Sequence, residues 1–123
     1  MAASERLICA AGALVNGGPG VRFTAAHDGA PSAAFVVRHG GRAYAYLNRC
    51  AHVPTELDWM AGEFFDRSGL YLICATHGAL YEPASGHCIA GPCAGQSLVA
   101  LAVVERDGAI YLQEDDDDRS RTR

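Results

Sequence analysis

Residues 74–88 read CATHGALYEPASGHC, a cysteine and a histidine three positions apart followed at once by a glycine. Alone, Cys74-x-x-His77-Gly78 fits a metal-binding turn or a buried thiol beside a surface histidine. A metal site needs partners elsewhere in the chain, and Cys50-Ala51-His52 supplies them. Each pair follows an apolar, strand-like run, AYAYL before the first and LYLIC into the second. Each is therefore expected at a loop tip that offers one thiolate and one imidazole.

Thiolates suit zinc and iron–sulfur clusters, and imidazole suits zinc, copper and iron. Two of each can close a tetrahedral zinc site. They can equally hold a [2Fe–2S] cluster with two cysteines on one iron and two histidines on the other. Zinc modules usually begin with a C-x2-4-C knuckle on one turn. One cysteine and one histidine per loop suits a cluster gripped between two loops, each reaching both irons.

The remaining composition narrows the class. A chain of 123 residues fits one domain. Half of it is apolar and a fifth charged, an ordinary globular balance. The formal charge of −4 lacks the basic footprint of a nucleic-acid binder. No apolar run approaches the roughly 18 residues of a membrane-spanning helix. The apolar stretch Leu7–Val15 is short and follows Glu5 and Arg6, unlike a secretory leader. The expected location is the cytoplasm, with no membrane and no nucleic-acid partner. Five cysteines, an odd number, point there to a metal or redox site rather than to a disulfide framework.

The chain reads as antiparallel β structure. Strands are expected at Arg6–Ala11, Val21–Ala26, Ala34–Arg38, Ala43–Leu47, Leu70–Cys74, Ala79–Glu82, Leu98–Glu105 and Ala109–Gln113. His39-Gly40-Gly41 and Arg106-Asp107-Gly108 mark hairpins. His27–Pro31 is expected to end the second strand. Residues 49–69 form a long irregular stretch with a helical turn expected over Thr55–Met60. One domain over residues 1–113 is expected, followed by an acidic and arginine-bearing tail, 114–123, that is solvated and disordered or, alternatively, docks a partner.

Cys50-x-His52 with Cys74-x-x-His77-Gly78 resembles the Rieske iron–sulfur proteins. The likeness continues through Ala79-Leu80-Tyr81, Ser85-Gly86, Gly91-Pro92 and Leu98, and is strongest over residues 44–113. It implies an all-β fold of stacked antiparallel sheets, with a [2Fe–2S] cluster between two loops at one tip and one cluster per chain. It further implies Cys50 and Cys74 on the buried iron and His52 and His77 on the outer iron. Tyr81, Gly78 and Pro92 are implied to lie around the ligands.

The implied activity is one-electron transfer by a non-catalytic component of a multicomponent oxidoreductase. Its implied partners are redox proteins, a reductase on one side and a terminal oxygenase (such as an aromatic-ring oxygenase) or reductase on the other. A small subunit of a nitrite-type reductase and a structural zinc-binding interaction module are the alternatives. The membrane-bound respiratory branch carries an extra cysteine in each cluster loop, joined as a disulfide. Here Ala51, Val53, Pro54, Ala75 and Thr76 stand in those loops, which points to the soluble ferredoxin branch. Ala79 stands where the high-potential branch has a serine, so one of two sulfur-directed hydroxyls is missing and a low-to-middle potential is expected. The 21 residues between His52 and Cys74 are long for the family, and their Trp59 and Phe64-Phe65 suggest a cover or a docking face.

Other candidates read more plainly. Cys88 and Cys93 are expected as small buried residues near the Gly91-Pro92 turn, with a disulfide between them as the alternative, and Cys9 as core. His27, His39 and His87 sit in or beside turns and are expected to be solvated. Trp59 is expected as a packing anchor.

Overall fold

The computed structural model describes residues 4–51, 55–58, 60–76 and 78–114. His52, Trp59, His77 and the tail beyond Glu114 lie outside the described residues.

Among the described residues, three antiparallel sheets build the fold. The central sheet contains β2 (Val21–His27), β3 (Ala30–His39), β4 (Arg42–Leu47) and β8 (Ala100–Leu101), in the order β2-β3-β4-β8. A second sheet orders β1 (Ser4–Ala10), β10 (Ala109–Glu114) and β9 (Val103–Arg106) as β1-β10-β9. A third, small sheet runs β5 (Leu72–Ile73), β6 (Leu80–Tyr81) and β7 (Cys88–Ala90) in sequence order. A 3-10 turn at Ala11–Ala13 follows β1.

Two-residue turns set the register of the hairpins. Asp28-Gly29, Gly40-Gly41 and Asp107-Gly108 all place both central residues at positive φ, at 52° and 78°, 60° and 83°, and 52° and 76°. That conformation matches the right-handed twist of the flanking strands.

The central sheet is covered on both faces, which explains why Ala34–Val37 is buried without interruption. Ala34, Val36, Ala45 and Leu47 pack with Ile8, Val103, Ile110 and Leu112 of the second sheet. Phe35, Val37 and Tyr46 point the other way, into a core made with Leu57, Phe64, Leu72, Cys74, Tyr81 and Leu98. Arg38 ties the layers at their edge. Its guanidinium makes a two-pronged bond to Glu105 at 3.0 Å on each arm and donates to the carbonyls of Leu14, Ala11 and Gly41. The hydrogen bond from Arg38 lowers the Glu105 carboxyl from its ordinary range.

Several sequence expectations change. The second strand ends at His27 as expected, but the turn is only Asp28-Gly29 and β3 already begins at Ala30. Pro31 lies where β3 has a neighbour on one side only, a position at which a strand tolerates proline. The helical turn expected over Thr55–Met60 is absent among the described residues; a turn closes instead from Met60 to Glu63. LYLIC forms only the two-residue β5, leaving Leu70 and Tyr71 exposed. Leu98–Glu105 is not one strand. The chain leaves the central sheet after Leu101 and enters the second at Val103, and the Ala102 carbonyl at the corner accepts Gln113 N–H at 2.9 Å. β7 was not expected at all.

Candidate metal centre

The two cysteine loops leave the ends of β4 and β5 and are fastened to each other. The first leaves β4 through Asn48 and Arg49 to Cys50, whose N–H donates to the Thr55 carbonyl at 2.8 Å. The second leaves β5 at Cys74. The Cys74 N–H adds a further rung to the β5–β6 hairpin by bonding Ala79 O at 2.9 Å, and the Gly78 N–H folds back to Cys74 O at 2.7 Å. Gly78 turns at φ +72°, which a side-chain-bearing residue rarely adopts. Ala75 N–H donates to the Leu57 carbonyl at 3.0 Å, bridging the loops directly. Cys50 and Cys74 are both buried in the same core, while Ala75, Thr76 and Gly78 lie exposed at the second loop's tip.

Tyr81, on the strand after the second loop, reaches the first. Its hydroxyl lies 3.2 Å from Cys50 Sγ and accepts the Ala51 N–H at 3.0 Å. It also accepts the Cys93 thiol at 3.1 Å. Burial, followed by the bonds to Cys50 and Cys93, raises this hydroxyl far above the ordinary phenol range.

A third segment closes the site from below. After β7 the chain turns at Gly91, whose φ is +101° and where a Cβ would stand 2.8 Å from Ala79 Cα. Any side chain there would push the second cysteine loop outward. Pro92 is exposed, and its neighbours Gly91 and Cys93 make the contacts with Ala79 and Tyr81. Cys88 and Cys93 are buried reduced thiols, as the sequence led one to expect, and burial pushes the Cys93 thiol up to about 11. Cys9 is only half-buried, at the margin of the core between the central and second sheets.

One element of the site has no motif. Asn48 and Asp58 form a buried polar clamp inside the first loop. Asn48 Nδ2 donates to Asp58 Oδ1 at 2.9 Å, Asn48 Oδ1 accepts Leu57 N–H at 2.8 Å, and Asp58 Oδ2 accepts Gly62 N–H at 2.9 Å. Arg22 approaches the same carboxylate at 3.6 Å. Asp58→Ala strips the acceptor from two enclosed donors, Asn48 Nδ2 and Gly62 N. It is expected to cost about 2–3 kcal/mol in urea unfolding, with Asp58→Asn costing less because one acceptor oxygen remains.

His27 lies 3.3 Å from Asp28, His39 stacks on Phe65, and His87 is exposed near Ser97. Among the described residues, no group of three or more His, Cys, Asp or Glu is arranged to hold a metal, and two of the four expected ligands fall outside them. Also among the described residues, no helix is long and apolar enough to cross a membrane.

Comparison with known proteins supplies the context. The model of the Rieske [2Fe–2S] domain family matches residues 6–113. No curated protein matches the chain by sequence. Among solved structures, the chain is similar to the ferredoxin of carbazole 1,9a-dioxygenase from Nocardioides aromaticivorans IC177, with 26% identity and a TM-score of 0.67 over 91% of this chain and 99% of that one. It is also similar to a chain in a complex of reduced oxygenase and oxidized ferredoxin of carbazole 1,9a-dioxygenase, at 25% identity and TM-score 0.67, covering 90% of this chain and 94% of that one. A Sphingomonas yanoikuyae B1 ferredoxin shares the fold, with 20% identity, TM-score 0.69 and coverage of 90% and 99%.

Proposed function

Because the chain belongs to the Rieske [2Fe–2S] domain family, we propose that Cys50 and Cys74 hold one iron of its cluster and His52 and His77 the other. The donor set fits the group. Two buried sulfurs sit on adjoining loops bridged by the Ala75–Leu57 hydrogen bond, and a phenol hydroxyl stands beside one of them. Such a cluster supplies one-electron chemistry at potentials of about −150 to +300 mV. The protein is an electron carrier, not a catalyst.

The carrier works as a ferredoxin between a reductase and a terminal oxygenase. The observation that supports this most is coverage: the chain is similar to the ferredoxin of a carbazole 1,9a-dioxygenase over 99% of that ferredoxin's length. An aromatic-ring oxygenase is the acceptor class that fits those neighbours. Buried thiols with no disulfide between them at Cys88 and Cys93 agree with the cytoplasm as its location. A coulometric titration tests the reading: one electron should enter per chain, and the reduced protein should pass it to a ring-hydroxylating oxygenase in stopped flow. Uptake of no electrons would refute it.

Tyr81 sets part of the potential. With Cys50 holding a cluster iron, a bond from the Tyr81 hydroxyl to Cys50 Sγ would favour the reduced form, in which that sulfur would be more negative. A gain of about 1 kcal/mol on reduction corresponds to about 40 mV for a one-electron couple. Tyr81→Phe is therefore expected to lower the potential by about that much in film voltammetry.

A further inference from the structure

The Tyr81 hydroxyl is fully subscribed. A phenol offers one proton and two lone pairs. A ligating Cys50 sulfur carries no proton, so at that contact the hydroxyl must donate. Its two lone pairs face two donors, the Ala51 N–H at 3.0 Å and the Cys93 thiol at 3.1 Å. The Ala51 amide comes from the cysteine loop itself. The Cys93 thiol comes from the separate segment after β7, and it is wholly buried.

We propose that Cys93 is a positioning residue that tunes the cluster through Tyr81, as the first link of a relay running from the Cys93 thiol through the Tyr81 hydroxyl to Cys50 Sγ. This rests on the assignment of Cys50 as a ligand. With both lone pairs occupied, the Tyr81 O–H has one direction left, toward Cys50. A donor on a hydroxyl's oxygen also polarises its O–H and strengthens the bond that it gives.

Burial keeps Cys93 protonated across the physiological range and so keeps it a donor. The neighbouring Cys88 does not compete for the hydroxyl, because its own thiol donates to the Ala90 carbonyl at 3.3 Å. The fold holds the relay in place: Gln96 N–H bonds Cys93 O at 2.8 Å, and the Gly91 backbone lies against Ala79.

The test is a double-mutant cycle on the holoprotein, with the potential read by film voltammetry and the cluster checked by EPR. Cys93→Ala is expected to lower the potential by about a tenth to a third of the drop caused by Tyr81→Phe. Cys93→Ser, which keeps a donor, is expected to recover part of that drop. In the Tyr81→Phe background, Cys93→Ala is expected to change nothing further.

An unmoved potential in Cys93→Ala, or an equal shift in both backgrounds, would overturn the relay and leave the cluster assignment standing. Loss of the cluster signal in the wild-type protein would overturn both. Should Cys93→Ala fail to fold, the infrared S–H band assigned to Cys93 by its loss in Cys93→Ser decides. It is expected to shift on Tyr81→Phe, and an unshifted band would overturn the proposal.

Discussion

Cys74→Ala is expected to yield a colourless protein that retains no iron, while Cys88→Ala retains both colour and iron. Both thiols are buried in one core, so burial alone does not separate them. Position does. Cys74 stands at the exit of β5, where its carbonyl accepts the Gly78 N–H, whereas Cys88 opens β7 and gives its thiol to a carbonyl. On the proposed ligand set, removing Cys74 leaves three donors for two irons. Removing Cys88 deletes one small apolar group from the core. Iron analysis and the visible spectrum of the two purified variants check this. Iron retained in Cys74→Ala, or lost in Cys88→Ala, would show that the ligand set is misassigned.

Phe64→Ala is expected to destabilise the holoprotein by about 3–5 kcal/mol, the usual cost of deleting a fully buried phenylalanine. The Phe64 ring stacks on Phe35 with centroids 3.9 Å apart and an interplanar angle of 11°, and it covers Gly20, where a Cβ would meet the ring at 2.8 Å. It thereby pins the long segment between the cysteine loops onto the central sheet. The same core contains Cys50 and Cys74, so loosening it is also expected to speed cluster loss during urea unfolding. Phe65→Ala, at a partly exposed ring against His39, is expected to cost much less. Equal costs for the two would mean that Phe64 does not anchor the segment.

That result also bears on what the sequence revealed. Phe64-Phe65 in a long insert suggested a cover or a docking face, yet Phe64 is core. An aromatic pair in an irregular stretch carries no period, so nothing local tells which ring turns inward. The hairpins were legible because Gly40-Gly41 and Asp107-Gly108 demand positive φ at both positions. The break at Ala102 was not, because an apolar run continues smoothly through the corner while its pairing partner changes sheet. β7 was hidden because Cys-Ile-Ala is short and its register with the two-residue β6 is broken by an irregularity between Leu80 and Tyr81.

The cysteine loops were legible as spacing, and the family likeness gave that spacing a chemistry. The groups that support them were not. Asn48, Asp58 and Cys93 carry no motif, and each acts through a partner at least ten positions away. Gly91 and Cys93, on either side of Pro92, contact Ala79 and Tyr81, and a glycine at φ +101° lets the Gly91 backbone come close to Ala79. Spacing marks the proposed ligands; only the fold shows which groups pack and hydrogen-bond around Cys50 and Cys74.

The most direct test of the central claim is the EPR spectrum of the dithionite-reduced protein, with iron and zinc measured on the same sample. Two irons per chain and a rhombic signal, with an average g below that of all-cysteine [2Fe–2S] proteins, is the predicted result. A silent spectrum with one zinc per chain would contradict it.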